Sequence, residues 1–178
     1  MTATSKNQPQ YFRVVIEAPI ERVWEALTQR DQVLPFFFNS VLHTTSLAPG
    51  APVRMRSPNG KFTGVVGEVL ELEPPFKYSH TFKFTNLDDP ICVVEYELKS
   101  IEGGTEFTLV VRDAPAGTKT EKYMLSGGKM IVAALKHWVE KGRPSFTSRL
   151  IGFVNALSSP FTPRKCRSEN WPLDKKIK

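Results

Sequence analysis

Cysteine and histidine are scarce in this 178-residue chain, which contains two cysteines and three histidines. Cys92 and Cys166 are far apart in the sequence, and no histidines or cysteines recur at the spacing of a metal site. We therefore predict no structural disulfide, no bound metal and no cofactor. Such sparse cysteine usage is typical of a reducing compartment, so we expect a cytoplasmic protein.

Long apolar runs are also missing, so the sequence predicts no membrane span. Residues 1–10 are polar and lack the apolar centre of a signal peptide, and we expect them to form a disordered lead-in. The chain has no Gly-x-Ser-x-Gly elbow, no glycine-rich phosphate loop and no recognisable pairing of nucleophile and base. The sequence therefore gives no catalytic residue.

The positive charge is concentrated at one end of the chain. The formal net charge is +6, and from Arg143 onward there are eight basic residues against two acidic ones. The rest of the chain has sixteen of each sign and is neutral. Because the excess lies in this tail, nucleic acid is not an expected partner of the domain. Contact through residues 164–178 would be non-specific and strongly salt-dependent.

The most informative segment spans residues 11–28. Apolar residues alternate up to Ile16, and Pro19 ends the strand because proline restricts both its own backbone and that of the preceding residue. Val23, Trp24 and Leu27 then recur at helical spacing. The pattern predicts a strand, a tight turn and an amphipathic helix.

Strands and a long helix follow. Glycine and proline turns punctuate residues 41–113, and alternating residues such as Tyr78, His80 and Phe82 predict an antiparallel meander with one apolar face. A helix is predicted over residues 120–141, ended by Gly142. Residues 36–38 are three phenylalanines, for which we expect a short second helix, with at least one ring covering the mouth of the core.

These features resemble the START-like, birch-allergen-like (SRPBCC) superfamily. Within it, the chain is similar to the group that resembles the C-terminal domain of the activator of the 90-kDa heat-shock-protein ATPase. The resemblance rests on residues 15–28 and on four further stretches in the same order: 47–53, 67–75, 104–109, and 126–128 leading to 135–136.

The resemblance implies an α+β helix-grip fold. A curved antiparallel β-sheet wraps around a long C-terminal α-helix, with a short N-terminal helix pair and an internal cavity. We expect this START-like domain over residues 11–144 and a basic C-terminal extension over residues 145–178, consisting of a short helix and then an extended tail. The apolar stripe of that short helix is predicted to pack on the domain and comprises Phe146, Leu150, Phe153, Val154 and Leu157.

A concave sheet around a helix leaves an interior pocket, and such pockets are mostly apolar with a few oriented polar groups. The predicted ligand-binding residues are Trp24, Phe36, Met55, Phe62, Tyr78, His80, Phe82, Phe84, Tyr96, Met124, Gly128, Ile131, Leu135 and Trp138. The alternative is that they are ordinary core residues that fill the space. Gly127 and Gly128 indicate either close packing of the helix on the sheet or room for a ligand beside its backbone.

His80 is the titratable group of most interest because it lies on the apolar face of its strand. Burial favours its neutral form, which suits a ligand hydrogen bond. The alternative is a core histidine bonded to a backbone carbonyl. Tyr78 or Tyr96 could offer a hydroxyl to the same ligand.

Three functions are compatible with these patterns. The leading hypothesis is a carrier or sensor of a small hydrophobic molecule, lipids included, with that molecule as its partner. The first alternative is a chaperone-associated co-regulator in the stress response, acting by contact with a chaperone or another protein. The second is a cyclase- or aromatase-like enzyme that uses the same cavity, with His80, Tyr78 and Tyr96 as its available acids or bases.

Overall fold

The computed structural model describes the backbone of residues 8–158 and 161–177, and the side chains of those residues except 155–158. Residues 1–7 of the predicted lead-in lie outside this range, and Gln10 already belongs to the first strand. The elements are β1 (Gln10–Ile16), α1 (Ile20–Thr28), β2 (Val33–Leu34), β3 (Ser40–His43), β4 (Pro52–Arg56), β5 (Thr63–Glu73), β6 (Lys77–Phe84), β7 (Cys92–Ile101), β8 (Gly104–Arg112), α2 (Lys119–Lys141) and α3 (Phe146–Ser158).

The eight strands form one antiparallel sheet in the order β1-β8-β7-β6-β5-β4-β3-β2. Strands β2 to β8 follow one another as a meander. The first strand, β1, lies at the opposite edge from β2 and pairs with β8. The sheet curls into a half-barrel packed against α2. The predicted α+β architecture, a curved sheet around a long C-terminal helix, is confirmed.

The alternating strands place their apolar residues on the inner face, as the sequence predicts. Tyr78, His80, Tyr96 and Leu109 are buried there. Tyr78 pairs in register with Tyr96, which in turn pairs with Leu109. Neighbouring strands therefore bring these side chains side by side, which assembles the interior one cross-strand pair at a time.

Helix α2 has well-defined ends. The Thr118 hydroxyl accepts a hydrogen bond from the backbone N–H of Glu121 at 3.2 Å, which satisfies a donor of the first turn. Gly142 adopts the left-handed conformation, with φ 65°, and donates to the carbonyl of Trp138 at 2.9 Å. The predicted end of the helix at Gly142 is confirmed.

The N-terminal helix is single, so the predicted helix pair is wrong. Val33 and Leu34 form β2 instead, and the backbone N–H of Phe37 donates to the carbonyl of Leu34 in a tight turn. Phe38 and Asn39 have φ values of 54° and 57°. Residues with left-handed φ do not continue a right-handed helix, so the three phenylalanines lie on a turn.

Helix α3 forms where an additional helix is predicted, but its apolar stripe does not pack on the domain. Phe146 is 80% exposed and Phe153 is 62% exposed, and Leu150 and Val154 are also exposed. The side chain of Leu157 lies outside the described residues.

A different face of α3 meets the domain. The side-chain amide of Asn39 donates to the carbonyl of Ser148 at 2.9 Å. A Cβ on Gly152 would lie 2.5 Å from the same amide nitrogen. Since small residues four apart let the helix approach Asn39 closely, the larger apolar side chains point elsewhere.

The C-terminal residues 161–177 cover the outer face of β4 and β5. The Arg54 guanidinium is fully buried and donates to the carbonyls of Val53, Gly67, Pro172 and Lys175. Arg54 therefore bonds to both the sheet and the tail, and Arg56 adds a hydrogen bond to the carbonyl of Trp171. Among the described residues, no helix is long and apolar enough to cross a membrane.

Candidate functional site

An apolar pocket of about 100 Å³ lies between the inner face of the sheet and α2. Nine of the fourteen predicted ligand-binding residues line it. They are Met55, Tyr78, His80, Phe82, Phe84, Tyr96, Met124, Gly128 and Ile131. The side chains come from β4, β6, β7 and α2, so folding of the whole half-barrel is needed to assemble the pocket.

Three polar side chains lie together in this apolar surrounding. The ring centroid of Tyr78 is 5.4 Å from that of His80 and 5.5 Å from that of Tyr96, and the two tyrosine rings are stacked. The His80 and Tyr96 centroids are 5.8 Å apart. We call Tyr78, His80 and Tyr96 the polar cluster of the pocket.

The hydrogen bonds of His80 fix its tautomer. Its Nδ1 lies 2.8 Å from the carbonyl oxygen of Thr81, and because a carbonyl only accepts, Nδ1 carries the proton and donates. Nε2 is then the acceptor for the Tyr96 hydroxyl, 3.3 Å away. The backbone-bonded histidine considered from the sequence is thus present, and the same ring also faces the pocket.

Burial controls the ionisation of the polar cluster. It lowers the pKa of His80 to about 4, partly opposed by the hydrogen bond to Thr81. Burial also raises the pKa of the Tyr78 and Tyr96 hydroxyls well above their ordinary value. All three side chains are therefore neutral at physiological pH.

The Tyr78 hydroxyl has no hydrogen-bond partner among the described residues. The residue is only 2% exposed, so the hydroxyl is also shielded from solvent. Leaving a buried hydroxyl unpaired costs about 1–3 kcal/mol. An unpaired hydroxyl on the wall of an apolar pocket is available to a bound molecule.

Among the lining residues, Phe38 and Tyr123 are exposed and Phe37 and Gly127 are partly exposed, so we take these four residues as the mouth of the pocket. Phe37 and Phe38 belong to the phenylalanine run in which the sequence predicts a ring over the mouth. A Cβ on Gly127 would lie 3.6 Å from Cζ of Phe38, so this glycine faces the rim. The turn that replaces the predicted second helix therefore carries two of the four mouth residues, and α2 carries the other two.

Gly127 and Gly128 have different neighbours. A Cβ on Gly128 would lie 2.4 Å from Cε2 of Phe12, a buried residue of β1. Gly128 thus permits close packing of α2 on the sheet, whereas a Cβ on Gly127 would meet only the ring of Phe38 at ordinary contact distance. Close packing therefore explains Gly128, and room for a ligand beside the backbone of Gly127 stays a prediction.

Five predicted ligand-binding residues lie outside the pocket lining. Phe36 and Leu135 are buried in the core, and Trp24 and Trp138 are half-buried against it. Phe62 lies where the chain enters β5 and forms an isolated β-bridge with Arg167 of the tail. The sequence predicts the elements that carry these residues correctly. Residue spacing alone does not show which buried positions of an element border a cavity.

Several lining residues were not predicted from the sequence. They include Leu27, Val53, Val65 and Tyr123. Tyr123 immediately precedes Met124 on α2 and lies off the apolar stripe, so helical periodicity gave no signal for it. Its ring packs edge-on against Phe84, with centroids 5.8 Å apart, which extends the pocket wall toward the mouth.

Within the described ranges, no three His, Cys, Asp or Glu side chains come together as a metal site would require. Cys92 and Cys166 are both free and buried, and burial raises the pKa of the Cys92 thiol to about 12.

A protein-family model described as "Activator of Hsp90 ATPase homolog 1-like protein" matches residues 17–140. No match was found among curated proteins. The model covers α1 through most of α2, which are the elements that enclose the pocket.

Solved structures with the same fold include DynU16, a protein of the dynemicin biosynthetic locus, at 24% identity and TM-score 0.61. This match covers 78% of the present chain, which spans about half (49%) of the DynU16 chain. CalU16 from Micromonospora echinospora is 20% identical, with coverages of 85% and 86% and TM-score 0.59. The Aha1 dimer from Colwellia psychrerythraea is 17% identical, with coverages of 77% and 99% and TM-score 0.63. At these identities the likeness extends to the fold alone.

Proposed function

This chain belongs to the family of Activator of Hsp90 ATPase homolog 1-like proteins, and from that premise we propose that it binds a small hydrophobic molecule between the sheet and α2. It acts as a carrier or sensor of that molecule. Binding is driven mainly by burial of apolar surface, at about 25 cal/mol per Å². The polar cluster orients the bound molecule.

The observation that carries the proposal is the unpaired hydroxyl of Tyr78 within an apolar pocket. A side chain that served only to fill the core would not need this hydroxyl, because phenylalanine fills the same space at no hydrogen-bonding cost. A few polar groups in a mostly apolar cavity are typical of small-molecule sites.

The size of the pocket limits what enters it without rearrangement. A dry cavity of about 150 Å³ in another protein binds benzene, so a pocket of about 100 Å³ is somewhat too small for one aromatic ring as it stands. A ring-sized or longer molecule requires movement of Phe38 and Tyr123 at the mouth. Both side chains are partly exposed, so neither is locked by packing on all sides.

The first experiment is native mass spectrometry of the purified protein, with identification of any apolar molecule that co-purifies. Thermal stabilisation by a panel of ring-sized apolar compounds complements it, since a ligand that binds only the folded state raises Tm. A stoichiometric adduct, or saturable stabilisation by one compound class, is the expected result.

A substitution that blocks the mouth of the pocket tests whether the molecule binds there. Gly127→Leu places a branched side chain between α2 and Phe38 and is expected to abolish stabilisation by the compounds. The helix itself gains about 1 kcal/mol of propensity from this change, so the fold is retained. Gly127→Ala is the matched control, because its methyl group sits at ordinary contact distance from Phe38 and leaves the mouth open.

If neither an adduct nor stabilisation is found, the proposal is wrong and the pocket is only a packing defect. Equal binding to wild-type protein and Gly127→Leu would place the molecule elsewhere on the surface.

A further inference from the structure

The polar cluster restricts the chemistry of the bound molecule beyond its being apolar. The Nδ1 proton of His80 is used by the Thr81 carbonyl. Tyr96 has a single hydroxyl hydrogen, which is directed to Nε2 of His80. The donors of these two residues are therefore both occupied inside the protein.

Tyr78 supplies the one donor of the cluster that lacks a partner among the described residues. Tyr78 lines the pocket and stacks on Tyr96, so its ring is held in place by its neighbour. The complementary group on a ligand is a hydrogen-bond acceptor, and a carbonyl oxygen accepts without bringing a donor that needs a further partner.

The pocket also selects by charge. No described lining residue is an aspartate, glutamate, lysine or arginine. His80 is neutral at physiological pH because burial disfavours its cationic form. A carboxylate, phosphate or ammonium group would enter this interior without a counter-charge, and an unpaired buried charge is strongly disfavoured.

We infer that the ligand is an uncharged, ring-sized molecule with a carbonyl oxygen, and that this oxygen accepts a hydrogen bond from the Tyr78 hydroxyl. This inference rests on the proposed function and specifies the ligand class of the same pocket. It makes Tyr78 the residue that determines specificity. His80 positions Tyr96 and makes no hydrogen bond to the ligand itself.

Three compounds of nearly equal shape test the inference by isothermal titration calorimetry at pH 7.5. Acetophenone carries the carbonyl, α-methylstyrene replaces it with an apolar vinylidene group, and benzoate replaces it with a charged carboxylate. Wild-type protein is expected to bind acetophenone roughly 3- to 10-fold more tightly than α-methylstyrene, the range of one net hydrogen bond. Benzoate is expected not to bind measurably.

Tyr78→Phe removes only the hydroxyl. Its affinity for acetophenone is expected to fall by the same roughly 3- to 10-fold, while its affinity for α-methylstyrene stays unchanged. Infrared spectroscopy of carbonyl-labelled acetophenone adds a readout on the wild-type protein alone. The carbonyl band of the bound compound is expected at lower frequency than in an apolar solvent, because a donor withdraws electron density from the bond.

The outcomes separate the inference from the proposal beneath it. If acetophenone and α-methylstyrene bind wild-type protein equally and Tyr78→Phe alters neither, the pocket binds ligands but the carbonyl assignment is wrong. An unshifted carbonyl band, or benzoate bound as tightly as acetophenone, would also overturn it. If none of the compounds binds, the proposed function itself fails, and the inference fails with it.

Discussion

The hydroxyl of Tyr96 lies 3.3 Å from Nε2 of His80, and both side chains are buried on the inner face of the sheet. His80 pairs in register with Val94, so this hydrogen bond runs diagonally between β6 and β7. With the Tyr96 hydroxyl as donor, the bond requires an unprotonated Nε2, because a protonated ring is a donor at both nitrogens and leaves the hydroxyl hydrogen without an acceptor. The arrangement of the pocket is therefore linked to pH.

We predict that acid destabilises the protein through His80. Its pKa is about 4 in the folded state, against an ordinary value of 6.5. Between these values the unfolded chain binds more protons than the folded one, so stability falls as pH falls from about 6.5 to about 4 and is unaffected by this group above 6.5. The full difference corresponds to about 3 kcal/mol.

Urea denaturation of wild-type protein and His80→Phe across pH 4 to 8 measures this effect. The substitution leaves the Tyr96 hydroxyl without its acceptor, so a constant loss of roughly 1–3 kcal/mol is expected near neutral pH. The difference in unfolding free energy between the two proteins should shrink as the pH falls below 6.5, because only the wild-type protein loses stability through His80. The carboxylates that titrate in the same range are common to both proteins and cancel in the comparison. A difference that stays constant with pH would mean that His80 is not buried in its neutral form.

Much of the fold could be predicted from residues whose spacing has one physical solution. The alternation of Tyr78, His80 and Phe82 fixes an inner face for β6, and Gly142 ends α2 because it tolerates left-handed φ. The turn at residues 35–39 could not be predicted in the same way. Phe38 adopts a left-handed φ of 54° that its own type disfavours, so tertiary packing decides its conformation.

The sequence indicates the polar residues of the candidate site, but it does not show which apolar residues line the pocket. Tyr78, His80 and Tyr96 stand out because they are polar residues on apolar strand faces. Leu135 has the same helical spacing as Ile131, yet it is fully buried in the core while Ile131 borders the pocket. That distinction depends on the curvature of the sheet above α2, which no local pattern encodes.

Adjacent glycines on α2 are expected to respond oppositely to the same substitution. Gly127→Ala adds a methyl group at 3.6 Å from Phe38 and should stabilise the helix by about 1 kcal/mol. Gly128→Ala places its methyl group 2.4 Å from the buried ring of Phe12. We expect this overpacking to destabilise the protein by about 1–3 kcal/mol.

Thermal or urea denaturation of the two variants provides the comparison, and each serves as the control for the other. Gly128→Ala combined with Phe12→Leu should recover part of the lost stability, because the smaller side chain relieves the clash. Equal stability of the two alanine variants would show that α2 does not pack as closely on β1 as the structure indicates.

The C-terminal tail is expected to depend on Arg54. This fully buried guanidinium donates to carbonyls of Pro172 and Lys175 on the tail and of Gly67 on the sheet. Arg54→Met keeps an apolar stem of similar length but leaves those carbonyls without donors, at a cost of about 1–3 kcal/mol. We predict that the tail then detaches more often than in the wild-type protein.

Cys166 reports on this detachment. It lies within the tail itself and is 4% exposed, so a thiol reagent modifies it only when residues 161–177 lift from the sheet. Cys92 gives little background, because its thiol is buried with a pKa of about 12. Arg54→Met should therefore speed modification of Cys166 by at least about tenfold, the factor for 1.4 kcal/mol in the opening equilibrium.

Arg13→Met is the control, since Arg13 pairs with Glu106 at 3.8 Å on the surface and such pairs contribute little. Equal Cys166 reactivity in both variants would mean that Arg54 does not hold the tail.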